Sequence, residues 1–285
     1  MSAGYWQIFL LALFAPLPAL AGPQTPGDVR VEDVEFVSHG VTLSGSLALP
    51  RRGPIRAAVV FIHGSGKQTR NMTWARRFAS EGIAALVYDK RGVGKSGGEY
   101  EGEQSVSEKN LSLLADDSVS ALGALASHPS LKGVPLGLTG ISQAGWIAPL
   151  AAARSRLATF LVLWSGPVCK VSEEDIFSKY TADAERPTVP SYQQALDSRT
   201  EKYVWPAFLG RDTDSREDLG RLSMPGLWIF SDNDSSIPVD LSIARLQALR
   251  ASGHRYDYVL FSGLGHNNMD RTFAVATDWI KRLSK

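Results

Sequence analysis

Hydrophobic and polar positions alternate along this chain in short apolar runs separated by longer stretches of mixed character. Val34 to Ser38 and Val41 to Leu49 flank His39-Gly40, which predicts two strands joined by a tight turn. Ala57 to Ile62 is a continuous, β-branched apolar run, the pattern of a strand buried on both faces. Met72 to Gly82 reads as a helix closed by its glycine, and Ile83 to Tyr88 as the next strand. Asn110 to Ser127 sets Leu111, Leu114, Val119, Leu122 and Leu125 at helical spacing. Val134 to Thr139 is a buried strand, Trp146 to Ala153 a helix, and Thr159 to Trp164 a strand. From Gly166 to Leu222 the rhythm breaks into a polar stretch carrying Ile176, Phe177, Tyr180, Tyr192, Tyr203, Trp205 and Phe208. It resumes with a strand at Gly226 to Phe230, a helix at Val239 to Ala251, a strand at Tyr256 to Phe261 and a helix at Thr272 to Leu283. Strands alternating with helices predict an α/β domain with a mostly parallel, eight-stranded sheet covered on both faces. The irregular segment, approximately residues 166–222, is read as a small helical cap inserted after the sixth strand.

Composition narrows the function classes. The 285 residues are 44% hydrophobic, enough for a sizeable core, and the formal net charge is +1 with no dense Lys/Arg run. That balance argues against a nucleic-acid binder or a polybasic membrane-surface protein. Ile8 to Leu20 is apolar and Ala19-Leu20-Ala21 is an A-x-A cleavage pattern, so residues 1–21 are expected to be a signal peptide and the protein to be exported, periplasmic or secreted. The n-region departs from the pattern in lacking Lys and Arg. An uncleaved membrane anchor is the rival, but a span needs about 20 apolar residues, and this run is shorter and holds Pro16 and Pro18. Gly22 to Gly27 reads as a flexible lead. Cys169 is the only cysteine, which excludes an intrachain disulfide; it is read as a small packing residue, with an intermolecular or reactive thiol as the alternative. The five histidines lack metal-ligand spacing, and Asp232-Asn233-Asp234 lacks the Gly and distal Glu of a calcium loop, so no metal is expected.

The candidate chemistry centres on Gly140-Ile141-Ser142-Gln143-Ala144-Gly145, between a predicted strand and a predicted helix. A serine at such a turn, with small residues two before and two after, is a nucleophile elbow. Pro149 is expected to kink or loosen the helix that follows. Gly94-Lys95-Ser96-Gly97-Gly98 also fits the spacing, but no apolar helix opens at Ser96. A serine nucleophile needs a base and an acid to orient it. After Ser142, strand 227–230 runs into Asp234, and strand 258–261 runs into His266. Both emerge from strand carboxyl ends, where ligands bind in open α/β sheets. Asp234 is assigned as orienter and His266 as base, with Asp232 the near rival. The turn His63-Gly64-Ser65-Gly66 follows another strand, so the backbone N–H groups of Ser65 and Gln143 are the expected oxyanion donors. His63 is expected to shape that turn.

With Phe61-Ile62-His63-Gly64-Ser65-Gly66, the loop Tyr88-Asp89-Lys90-Arg91-Gly92-Val93-Gly94-Lys95-Ser96-Gly97-Gly98, the elbow and the late Asp and His, the chain resembles the α/β-hydrolase superfamily. Its glycine-rich loop is similar to that of bacterial serine esterases and of the serine-aminopeptidase and dienelactone-hydrolase-like branches. Dienelactone hydrolases use cysteine where this chain has Ser142, and many members have Gly where it has Ala144. The resemblance implies an α/β-hydrolase fold and hydrolysis of a small-molecule ester without a cofactor. The glycine-rich loop also matches G-x-G-x-x-G, but Glu99 to Gln104 separates it from any helix, and Asp89 replaces the first glycine of a P-loop. Asp89, Lys90 and Arg91 are expected to form a structural charge network beside the site. The aromatic residues of the cap are expected either to line the pocket, favouring a partly apolar substrate group, or to pack as the cap's own core. A peptidase, a thioesterase and a non-catalytic binding module are the alternatives on this fold.

Overall fold

Strands β1 (Val29–Ser38) and β2 (Val41–Pro50) form an antiparallel hairpin whose two-residue turn, His39-Gly40, has positive φ at both positions, as a primed turn requires. β1 begins five residues before the alternation predicted, because its pairing with β2 continues back to Val29. It is an edge strand with charged side chains such as Arg30 and Glu35 facing solvent, which discourages edge-to-edge association. The remaining strands are β3 (Ala57–Ile62), β4 (Ile83–Tyr88), β5 (Leu136–Ile141), β6 (Ala158–Trp164), β7 (Gly226–Ser231) and β8 (Tyr256–Phe261). The computed structural model describes residues 28–102, 105–184 and 188–283. The expected signal peptide and the lead after it lie outside the described residues.

The sheet runs β1-β2-β4-β3-β5-β6-β7-β8, and from β4 to β8 all neighbours are parallel. Helices α1 (Met72–Ser80) and α8 (Met269–Leu283) cover one face. Helices α2 (Glu108–Ser127), α3 (Ala144–Arg154) and α7 (Val239–Ala251) cover the other. The apolar β3 run serves both: Ala58, Val60 and Ile62 face the α2/α3 core, and Val59 and Phe61 face the α1/α8 core. A sheet buried on both sides needs such continuous apolar runs. α2 starts two residues before the predicted Asn110 because the Ser107 hydroxyl accepts from the Asn110 N–H and caps it. α3 continues through Pro149 to Arg154; the proline removes only the N–H that would reach the Gly145 carbonyl.

The strand order reverses between β3 and β5, which pair directly, Ile62 opposite Gly140. This topological switch point is where open α/β sheets bind ligands, at the carboxyl ends of the strands. Between β6 and β7 lie α4 (Val171–Thr181), α5 (Tyr192–Asp197), one 3-10 turn at Ala207–Leu209 and α6 (Ser215–Leu219). α4 bridges two parts of the rim. At one end Trp146 Nε1 donates to the Cys169 carbonyl at 2.7 Å, and at the other Thr181 Oγ1 donates to the Ser235 carbonyl at 2.6 Å. Glu173 of α4 also forms a two-armed, largely buried ion pair with Arg245 of α7.

Candidate active site

Ser142 follows β5 directly and has φ of +56°, a left-handed conformation that costs a non-glycine residue about 1–3 kcal/mol. The surroundings hold it there. Its N–H donates to the Trp164 carbonyl of β6 at 3.0 Å, and its carbonyl accepts from the Gly145 N–H at 2.7 Å. A Cβ at Gly140 would lie 2.5 Å from the Ile62 carbonyl oxygen and 2.6 Å from the Ala144 Cβ, so only glycine lets β3, β5 and α3 meet. The sequence's demand for small residues on either side of the serine thus has a steric cause.

At the ends of β7 and β8 the two predicted partners meet. His266 Nδ1 lies 2.9 Å from each carboxylate oxygen of Asp234, which is fully buried. Asp234 Oδ1 also accepts from the N–H groups of Ser236 and Ile237 at 3.0 and 3.3 Å. Asp232 is engaged elsewhere: it accepts from Ser262 Oγ and the Gly263 N–H, both at 2.8 Å, and fastens the turn after β8. No hydrogen bond joins the Ser142 hydroxyl to His266. The structure therefore brings Asp234 and His266 together and places Ser142 on the same rim, without the third contact.

Three side chains that sequence reasoning missed hold this rim. Ser165, the residue after β6, is buried with φ of +45°, and its hydroxyl donates to the His266 carbonyl at 2.8 Å. Asn268 Nδ2 donates back to the Ser165 oxygen at 3.2 Å. The Ser231 hydroxyl donates to the Leu264 carbonyl. The alternative serine is committed to structure: Ser96 Oγ donates to the Asp89 carbonyl at 2.6 Å and accepts from the Ser44 N–H at 3.0 Å.

The expected oxyanion donors sit on adjacent turns, after β3 and β5. None of the N–H groups from Ser65 to Thr69, nor that of Gln143, donates to a protein acceptor among the described residues. His63 lies beneath the first turn, with Nε2 2.6 Å from the Tyr88 carbonyl. Burial, then the nearby Lys90, lowers its pKa to about 4 against the opposing pull of that carbonyl and of Asp89. At neutral pH it is an uncharged imidazole donating from Nε2, a structural post as expected.

The three consecutive charges do not form one network. Arg70 takes the Asp89 carboxylate through Nε and Nη2 at 3.1 and 3.0 Å, and burial, which alone would raise this carboxyl, is outweighed so that its pKa falls to about 2. Arg91 pairs with buried Asp117. Lys90 turns inward and meets no carboxylate among the described residues. The reason is geometric: at a strand end, successive side chains leave in different directions.

A cleft of about 450 Å³ opens beside the rim. Its apolar wall is Phe61, Trp74, Val87, Ile141 and Met269, and its polar wall includes Lys67, Gln68, Asn71 and Asn267. Ile141 precedes Ser142, and Asn267 follows His266. None of the aromatic residues expected to line a pocket from the inserted segment lines this cleft. Ile176 and Phe177 are buried; Tyr203 and Trp205 bond within the segment, to Asp175 and the Gly210 carbonyl; Phe208 is 71% exposed. The cleft's apolar surface comes from the sheet, α1 and the first residue of α8 instead. Cys169 is buried, and its thiol is pushed far up by burial, as befits a packing residue. Among the described residues no three His, Cys, Asp or Glu side chains gather to hold a metal, and no helix is long and apolar enough to cross a membrane.

Comparison with known proteins places this geometry in a family. The chain matches the family model described as serine aminopeptidase, S33, over residues 53–221, which includes Ser142 but ends before Asp234 and His266. Polyketide transferase claH of Penicillium crustosum is 40% identical over 149 residues, 50% of this chain and 46% of its own, so the match spans about half of that relative. An esterase of Pyrococcus furiosus superposes with a TM-score of 0.63 at 19% identity, covering 93% of each chain. An acylaminoacyl peptidase of Pyrococcus horikoshii gives 0.67 at 18% identity, covering 90% of this chain and 42% of that one. These two share the fold. The chain belongs to the serine aminopeptidase, S33, family of α/β-hydrolases.

Proposed function

We propose that this protein is an exported serine hydrolase that cleaves carboxylic esters through an acyl-enzyme on Ser142. The observation that carries the proposal is a serine held at positive φ on the switch point, on the same rim as a histidine whose Nδ1 is fixed by a buried aspartate. Ser142 Oγ attacks the ester carbonyl while His266 Nε2 takes its proton. The resulting oxyanion is received by the N–H groups of Ser65 and Gln143. Collapse breaks the bond to the alcohol, which leaves with the proton from His266. Water then attacks the acyl-enzyme, gives its proton to His266, and frees the acid and Ser142. Asp234 keeps Nδ1–H fixed, so Nε2 is the basic nitrogen. Catalytic hydrogen bonds commonly tighten only once substrate is seated, and the Ser142–His266 contact is expected to close in this way.

The cleft beside Ile141 and Asn267 supports a compact substrate group with both apolar and hydrogen-bonding surface. Export is supported by the A-x-A pattern at Ala19-Leu20-Ala21. N-terminal sequencing of protein recovered outside the cytoplasm should begin at Gly22; a chain that starts at Met1 there contradicts cleavage.

A second reading, an aminopeptidase, has one observation in its favour. Among the described residues Glu174 of α4 has no side-chain hydrogen bond or ion pair, and burial followed by Asp175, Asp183 and Asp234 pushes its pKa up to about 8. At neutral pH that makes it mainly the neutral acid, and a substrate ammonium placed beside it would favour loss of its proton and pair with the carboxylate formed. A panel of p-nitrophenyl esters, aminoacyl anilides and thioesters separates the readings. We expect esters to be turned over fastest and Ser142→Ala to lose at least about 10⁴-fold in kcat. Preference for aminoacyl anilides would favour the second reading, and near-wild-type turnover by Ser142→Ala would remove both.

A further inference from the structure

Lys90 lies at the centre of the oxyanion half of the site. Its side chain is 2% exposed and meets no carboxylate among the described residues. Its ammonium donates instead to the Gly64 carbonyl at 2.8 Å, the Gly66 carbonyl at 3.2 Å and Gln143 Oε1 at 2.9 Å. An ammonium carries three N–H donors and no acceptor, so three acceptors use it completely.

The peptide plane gives these bonds a consequence. In a trans peptide the carbonyl of one residue and the N–H of the next point in opposite directions. Pinning the Gly64 carbonyl inward on Lys90 turns the Ser65 N–H outward, on the exposed side of the turn. The same ammonium holds the Gln143 side chain, whose Nε2 donates to the Ser105 carbonyl at 2.8 Å, so that residue is clamped from both ends. One buried charge thus holds Gln143 itself and the carbonyls of the two residues that flank Ser65.

We infer that Lys90 is the positioning residue of the oxyanion pocket, aiming the Ser65 and Gln143 N–H groups by holding the Gly64 carbonyl and the Gln143 side chain. This rests on the serine-hydrolase function proposed above. Lys90 touches neither substrate nor the reacting atoms; it acts through the two donors. A lysine that merely filled space would be replaceable by methionine, which packs without the cost of burying a charge.

Burial also lowers the Lys90 pKa to about 8. A neutral amine has two N–H groups, so above that pH one of the three acceptors loses its donor. The charged and titratable groups around it are His63, uncharged at that pH, Asp89, engaged by Arg70, and Lys67, which with Lys90 lies near the Tyr100 ring. The elbow side contributes Gln143, which does not titrate.

The test uses the full chain and p-nitrophenyl acetate. In Lys90→Met, kcat should fall about 10²-fold with KM nearly unchanged, the signature of a donor misaimed in the transition state. Affinity for a trifluoromethyl ketone, whose hemiketal oxygen occupies the same pocket, should fall in parallel. Wild-type kcat should decline above about pH 8, and that limb should be absent from the variant. The wild-type limb needs no variant and stands even if Lys90→Met does not fold. Wild-type kcat in Lys90→Met, a change confined to KM, or a flat wild-type profile through about pH 10 would each overturn the inference. A wild-type enzyme that hydrolyses no ester would overturn the underlying function instead.

Discussion

The two halves of the site are held by different physics. On the acid–base side, the loops after β6, β7 and β8 are stitched by several parallel bonds: Ser165 to the His266 carbonyl, Ser231 to the Leu264 carbonyl, and Ser262 and Gly263 to Asp232. Each such bond contributes about 1 kcal/mol, and the loss of one leaves the others. On the oxyanion side, the turn after β3 and the elbow share a single buried ammonium. Redundant weak ties make a scaffold tolerant of single changes, whereas one central charge makes it sensitive to one residue and to pH.

The largest effect should come from breaking the bond that the acid–base half exists to support. Asp234→Asn keeps the shape but disturbs the imidazole tautomer, and kcat should drop about 10⁴-fold; a loss under tenfold in steady-state hydrolysis would take Asp234 out of the mechanism. Next comes acidification of the oxyanion half. The His63 pKa is lowered from 6.5 to about 4, so between those values the unfolded chain binds the extra proton and the folded protein is destabilised as pH falls. The full difference is about 3 kcal/mol, and urea unfolding at several pH values should show it, with His63→Gln flattening that part of the curve. An equal slope in the variant would assign the loss to other groups. Ser165→Ala should cost about 1 kcal/mol of stability and about tenfold or less in kcat, because the Ser231 and Asp232 ties remain; a loss as large as that of Asp234→Asn would show that the loop is not redundantly held. The smallest effect belongs to Asp232→Asn, where ester turnover should stay within a few-fold of wild type, since its carboxylate contacts Ser262 and Gly263 rather than His266.

The comparison also explains what the sequence could and could not reveal. Strand and helix periods are properties of contiguous residues, so the sheet and the positions of Ser142, Asp234 and His266 at strand ends were legible. The choice of Asp234 over Asp232 followed from register and agrees with which carboxylate meets the imidazole. Lys90 was hidden because three adjacent charges look like one network, while the end of β4 sends them to Arg70, Gly64 and Asp117. Ser165 was hidden because a hydroxyl after a strand carries no signal until the His266 loop folds over it from about a hundred residues away (|i−j| of 101). The inserted segment was legible only as a break in rhythm: its apolar residues divide between burial and exposure, and composition alone does not sort them.

Mass spectrometry of the protein after reaction with a fluorophosphonate tests the central claim most directly. We predict one phosphonylated residue, Ser142, in the wild-type chain, with labelling slowed at least about 10³-fold in His266→Ala. Modification of Ser96 or another serine, or an equal rate without the imidazole, would contradict it.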